Sequence, residues 1–364
     1  MNKVDIDLNA INSNVNYFKS LLEAETKMIG VVKANAYGHG IVDVGRVIWT
    51  SGADMLAVTT VAEAVMLRVG KIRAPIIVLG PTQEDDFQRL LDFDITTTVF
   101  DFEMAYKLSK IAKQENKWAK IDLKIETGLN RYGIKPHEVT ENIRRIMSLG
   151  HVKIEGIHSH IADSADAAAS KEQIKQIHSV LFSLQQNNIE IPMTHLAATD
   201  ATVNFPESHF DAVRIGIGLY GYGAFKDYKD VLKPALELKS FISSVKVVAK
   251  NETIGYGRTY KADDAIRVAV VPLGYFDGYA RVFSNNSEVL VGGKRVKVVG
   301  RICMNSFMVD VTGIKCGVDD EVVLIGVQGN DRIWADELAK RSETIPHEIL
   351  CRIPDHLVRE YHFK

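Results

Sequence analysis

The chain has 364 residues, 46% of them hydrophobic, and a formal charge of -2 at pH 7. That length supports a large core and two domains, and the near-neutral balance gives no electrostatic ground for binding nucleic acid or an anionic membrane. No apolar run approaches the roughly 18 residues that span a bilayer, so no membrane segment is expected. Residues 1–7 lack the apolar core of a signal peptide. Cys303, Cys316 and Cys351 form neither a metal spacing nor an even disulfide set. A reducing cytoplasm is the expected compartment.

Val4, Ile6 and Leu8 alternate with polar residues, which predicts a strand over residues 1–8 that joins the C-terminal domain. Short apolar strands are then predicted at 28–32, 55–58, 76–79, 95–99, 120–125, 152–157, 193–196 and 212–215. Helical patterns at 61–69, 102–114, 136–149 and 170–185 lie between them. Strands alternating with helices form parallel sheet. Eight such units over residues 1–234 fit a closed (β/α)8 TIM barrel, with an open doubly wound sheet as the alternative. Near Lys233-Pro234 the pattern changes. Residues 235–364 read as a mainly antiparallel β domain, with runs at 235–248, 266–271, 289–291, 296–299, 307–311 and 322–325 and one helix at 334–341.

Barrel active sites sit at the C-terminal ends of the strands. Lys33 follows the first predicted strand, backed by apolar residues, a setting suited to an amine nucleophile once its pKa is lowered. Residues 126–133 (Glu-Thr-Gly-Leu-Asn-Arg-Tyr-Gly) follow the fifth strand and His158-Ser159-His160 the sixth. His195 lies in the seventh with Thr199 just beyond, and Arg214 ends the eighth before Ile215-Gly216-Ile217-Gly218. Gly216-x-Gly218-x-x-Gly221 fits a dinucleotide pattern but does not open a βαβ unit. A phosphate site built from Thr199, Gly216 and Ile217 suits the loops after the last two strands better. The three histidines lack carboxylate or Cys ligands in a known spacing, so no metal is expected. His158 reads as structural, and His160 and His195 as partners that orient other groups. A nucleophilic lysine plus a phosphate site points to pyridoxal phosphate, its aldehyde held on the lysine as a Schiff base.

At these residues the chain resembles the fold-type III pyridoxal phosphate-dependent amino-acid racemases, the alanine racemase family above all. The likeness runs through 32–40, 126–133, 195–206, 210–221, 254–260, 273–279 and 300–310 in the family's order. It implies racemisation of a small amino acid, L- to D-alanine and back, as in supply of a peptidoglycan precursor. Lys33 is implied as the cofactor lysine and one acid/base, and Tyr256 from a partner subunit as the other, so the unit would be a homodimer. The resemblance further implies that Arg214 faces the pyridine nitrogen, supported by His195, and that His160 lies near the tyrosine. Tyr37, Thr199, Gly216 and Ile217 would contact the phosphate. Arg131 and Met304 would bind the substrate carboxylate, with Tyr275 and Cys351 also at the substrate. Lys124 stands where family members can carry a carbamylated lysine.

Cys351 stands where a pocket tyrosine is usual, and Ala198, Asn130 and Asn305 also depart from the common pattern. Serine, or both alanine and serine, is therefore an alternative substrate. A fold-type III decarboxylase would carry an acidic residue in place of Arg214, and a non-enzymatic pyridoxal phosphate carrier would lack the β domain that holds Tyr256.

Overall fold

The computed structural model describes residues 1–363, which divide into two compact units. One unit comprises Ile11–Ala36 and Ile41–Lys233; the other comprises Met1–Ala10, Tyr37–Gly40 and the chain from Pro234 onward.

Strand β1 (Lys3–Asp7) belongs to the second unit. The first unit is a closed barrel of eight parallel strands: β2 (Lys27–Val31), β3 (Met55–Val58), β4 (Ile76–Val78), β5 (Thr96–Val99), β6 (Ala119–Lys124), β7 (Val152–His158), β8 (Thr194–Ala198) and β9 (Ala212–Ile215). The ring closes through β2 and β9, where Ile29 pairs with Arg214. This is the TIM barrel expected from the alternation. Its strands are buried almost throughout, as a parallel sheet covered by helices requires. β5 is polar yet fully buried. It tolerates this because Thr98 donates to the Val78 carbonyl at 2.7 Å and the Thr97 and Thr82 hydroxyls pair at 2.8 Å. The helix Val61–Val69 starts on a capping box, with Thr60 and Glu63 satisfying each other's backbone N–H groups.

The second unit is mainly antiparallel. Its strands are β10 (Leu236–Phe241), β11 (Ser244–Val248), β12 (Thr253–Ile254), β13 (Tyr260–Lys261), β14 (Ile266–Val271), β15 (Glu288–Val291), β16 (Lys294–Lys297), β17 (Phe307–Asp310), β18 (Glu321–Gln328), β19 (Asp331–Ile333) and β20 (Val358–His362). The largest sheet runs β16-β15-β18-β10-β1-β20, with β19 on β18 and only the β1–β20 pair parallel. β11-β14-β17 form a second sheet. The single run predicted over 235–248 is thus two strands in different sheets. The chain changes partners between them: Ile242 N–H donates to Asp320 and Ser243 N–H to Val270. A second helix, Pro346–Cys351, follows Ala335–Arg341 and was not anticipated. Its signal was Pro346 at the first turn. No helix of the described residues is long and apolar enough to cross a membrane.

Candidate active site

Lys33 lies just past the C-terminal end of β2. The backbone beyond it is left-handed: Ala34, Asn35, Ala36 and Tyr37 have φ of 52–54°. Each L-residue held there costs about 1–2 kcal/mol. Three hydrogen bonds within the barrel unit hold the turn. Ala34 N–H donates to Glu63 at 2.6 Å, Ala36 N–H to the Val32 carbonyl at 2.9 Å, and Ile41 N–H to Asn35 Oδ1 at 2.7 Å. Glu63 therefore serves both the helix cap and the segment that presents Lys33.

Arg214 is 4% exposed. Nη1 donates to Nδ1 and, at 3.0 Å, to the carbonyl of His195. Nη2 donates to the carbonyls of Ser159 at 2.6 Å and Leu196 at 2.8 Å, with His160 Nδ1 at 3.3 Å. The Nε–H has no protein acceptor among the described residues, so one donor of a fixed guanidinium is left over. Burial brings the guanidinium pKa down to about 10 while Asp122 pulls it back, so it stays cationic near neutrality.

The histidines do have a carboxylate, contrary to the sequence reading. Asp122 in β6 is completely buried between His158 and His195. Its Oδ1 meets His158 Nδ1, and its Oδ2 lies 3.1 Å from His195 Nε2. The two rings stack at 4.8 Å with 9° between planes. Sequence reasoning missed Asp122 because a lone acid within a strand carries no motif. Burial would favour its neutral form, but the contacts with His195 and His158 hold the carboxyl below the usual range. Burial pushes His158 and His195 below the usual imidazole range.

Lys124 ends β6, buried. Burial first, then the charges of Arg214 and Arg131, bring its amine down to about 7. Arg131 sits on the following loop, shaped by the Glu126 carboxylate, which accepts from Gly128 N–H at 2.5 Å and Arg131 N–H at 3.2 Å. Gln173 ties this loop to the next one: its amide donates to Thr127 Oγ1 at 2.9 Å and to the His160 carbonyl at 3.0 Å. Burial depresses His160 well below the ordinary range, followed by the charges of Arg214, Lys124, Arg131 and Lys33. The barrel unit thus gathers these groups around His160.

Thr199, buried after β8, accepts from Gly216 N–H at 3.1 Å and Gly218 N–H at 3.3 Å. Its own hydroxyl proton remains available to an anion beside Gly216 and Ile217. A Cβ on Gly218 would stand 2.4 Å from Phe18 and 2.8 Å from the Thr199 methyl, so glycine is needed for this close approach.

The remaining expected residues lie in the second unit. Tyr256 opens the turn Tyr256–Arg258 and is 72% exposed. Tyr275 borders a cavity of about 450 Å³ with Gly278, Ala280, Arg281 and Arg352. Met304 is exposed. Cys351 is exposed at the end of Pro346–Cys351. Tyr37 is buried, its ring 5.7 Å from His347. Burial, and then Cys351, push its phenol up.

A TIM barrel that carries a lysine, a buried arginine and a histidine cluster on its C-terminal side has the arrangement on which barrel enzymes build their active sites. Residues 6–224 match the model for the alanine racemase N-terminal domain, and residues 235–361 that for the alanine racemase C-terminal domain. Alanine racemase 2 of Caldanaerobacter subterraneus subsp. tengcongensis is 39% identical over 100% of this chain and 95% of its own. The structure of alanine racemase from Clostridium difficile 630 superposes with a TM-score of 0.95 at 34% identity, covering 99% of this chain and 95% of that one. That of alanine racemase from Bacillus anthracis with bound L-Ala-P gives 0.93 at 32%, covering 100% and 96%. The chain belongs to the alanine racemase family.

Proposed function

We propose that this protein interconverts L- and D-alanine with pyridoxal phosphate held on Lys33. Family membership supports the reaction, and the relatives are named for alanine, which gives the serine alternative no support. The observation in the chain itself that carries the reading is Arg214, whose guanidinium is fully engaged except for one N–H. That spare donor suits a pyridine nitrogen, and the spare Thr199 hydroxyl proton suits a phosphate, so the residues present fit the cofactor.

When bound, the cofactor supplies an aldehyde that captures the substrate amine and a ring that draws electron density from Cα. Arg214 offers the ring nitrogen an N–H without giving up its proton, because the guanidinium stays charged at neutral pH. Thr199, Gly216, Ile217 and Tyr37 hold the phosphate. Arg131 and Met304 bind the substrate carboxylate, and Tyr275 and Cys351 bound the pocket. Lys33 moves the Cα proton on one face, and Tyr256 of the partner subunit moves it on the other. Two bases on opposite faces invert the centre without turning the substrate. The working unit is accordingly a homodimer of subunits that each hold a barrel unit (11–36 and 41–233) and a β unit (1–10, 37–40 and the chain from 234 onward), located in the cytoplasm. His160 accepts from Arg214 through Nδ1, which leaves its Nε2–H to donate toward Tyr256 of the partner subunit.

Lys124 is proposed to carry a carbamate. An amine brought to about 7 is substantially unprotonated near neutrality, so its lone pair can add to CO2 with loss of a proton. The resulting anion would pair with Arg131. Intact mass in CO2-free and CO2-equilibrated buffer tests this; an unchanged mass, with full activity in Lys124→Ala, counts against it.

The racemase reading is tested by incubating cofactor-loaded protein with L-alanine and L-serine in D2O, followed by chiral analysis. Deuterated D-alanine is expected, with kcat/KM for L-alanine above that for L-serine. CO2 release or absence of turnover would overturn it. Cys351→Tyr in the same assay reads how far that position sets the choice of substrate.

A further inference from the structure

We propose that Asp122 is a positioning residue that acts through His195 to hold Arg214 at its working position; this rests on the racemase reading above. The argument begins with donors and acceptors. A guanidinium has no acceptor, so His195 Nδ1, which faces Arg214 Nη1, must be unprotonated. The neutral ring then carries its proton on Nε2, the nitrogen that faces Asp122 Oδ2 at 3.1 Å. The buried carboxylate can only accept there, which fixes His195 in the Nε2–H tautomer. His158 occupies the other oxygen through Nδ1 and stacks on His195 at 4.8 Å, so neither the carboxylate nor the ring can rotate away.

The chain Asp122–His195–Arg214 also balances charge. Arg214 is a buried cation whose other partners are three carbonyls and a neutral imidazole. Asp122 is the nearby anion, linked to it through one ring. A polarised imidazole between carboxylate and guanidinium strengthens both hydrogen bonds. Without Asp122 the ring is free to take the Nδ1–H form, which sets an N–H against the Arg214 N–H and displaces the guanidinium. The same three side chains have ligand atoms close enough for a metal ion. Binding one would strip both N–H protons and place a further cation beside the buried Arg214, so the hydrogen-bonded reading is the one the geometry favours.

The test is nitrogen NMR of protein labelled with 15N-histidine, recorded with and without bound pyridoxal phosphate, in wild type, Asp122→Ala, Asp122→Asn and His158→Gln. The signal lost in His158→Gln is that of His158, and the one lost in a further variant, His195→Gln, is that of His195. Wild-type His195 is expected as a pure Nε2–H tautomer. Asp122→Ala is expected to show mixed tautomers and a kcat lower by roughly 10- to 100-fold, the range for losing an orienting partner, with KM changed by less than about 2-fold. Asp122→Asn, whose amide oxygen can still accept from Nε2–H, should restore much of both. An Nδ1–H tautomer in the wild type overturns the proposal, and that measurement stands even if Asp122→Ala does not fold. So does a fall in kcat with the tautomer unmoved, because that marks a structural role. Absence of racemisation by the wild type falls on the racemase reading, while the tautomer measurement on cofactor-free protein remains separate.

Discussion

Arg214 donates to His195 twice, to the ring Nδ1 and to the backbone carbonyl at 3.0 Å. The two residues sit on adjacent parallel strands β9 and β8, where Ala198 pairs with Arg214 across a register shift after His195. The irregular register places the carbonyls of His195 and Leu196 within reach of one guanidinium. Arg214→Lys replaces a planar fork by a point donor that cannot serve this set of acceptors. Urea unfolding is expected to show a loss of about 2–4 kcal/mol, and racemase kcat should drop by at least about tenfold.

Lys124 gives a stability effect with a definite sign. Its folded pKa, about 7, lies below the ordinary lysine value of 10.5, so the native state binds fewer protons than the unfolded state between those values. Stability therefore rises with pH across that window, and the cost of burying the ammonium is fully present below pH 7. In CO2-free buffer, Lys124→Met should stabilise the protein at pH 6 by an amount on the order of 5 kcal/mol at most, and the gain should shrink toward pH 10. A gain that is constant with pH would contradict the assigned protonation.

Asp5 gives the opposite case. Burial alone would raise its carboxyl, but Lys239 at 2.8 Å, His362 and Lys3 lower it from 3.8 to about 2. The folded pKa is depressed, so this stabilisation is present above pH 4 and is lost as pH falls toward 2. Asp5→Asn should cost about 2 kcal/mol at pH 7 and nearly nothing at pH 2, read from unfolding midpoints along a pH series.

Gly218→Ala introduces a methyl 2.4 Å from the Phe18 ring and 2.8 Å from Thr199. One of those side chains must move, and Thr199 is the hydroxyl beside Gly216. Cofactor affinity, read by absorbance titration, should weaken by roughly tenfold or more. Unchanged affinity would show that Phe18 gives way and Thr199 stays in place.

Tyr256→Phe removes one of the two proposed bases while leaving Lys33 in place. Pre-steady-state deuterium exchange should be lost for one alanine enantiomer and retained for the other. Equal loss for both would sink the two-base assignment.

Much of the barrel was legible in the chain because side-chain periodicity is local. Strands such as 55–58 and 212–215 stand where the apolar runs put them, and Lys33 and Arg214 were visible as polar residues at strand ends and His195 as one within a strand. The split of 235–248 was not legible. Nothing local marks Ile242 and Ser243 as the place where hydrogen bonding passes from Asp320 to Val270.

The sequence by itself determined the alternation that closes a barrel, the β-rich second half, and the strand-end positions of its cations and histidines, since all of these follow from periodicity and residue type. Only the tertiary structure decided what those groups do to one another. Asp122, His158 and His195 come from three different strands, and each looks like an isolated polar residue in its own. Closing the barrel removes water from all three at once, and in that low dielectric the protons must be shared in the one arrangement that leaves Arg214 a ring nitrogen to bond. The left-handed run after Lys33 has the same origin. Glu63, Val32 and the Asn35–Ile41 contact, all supplied by the folded chain, help hold its L-residues there.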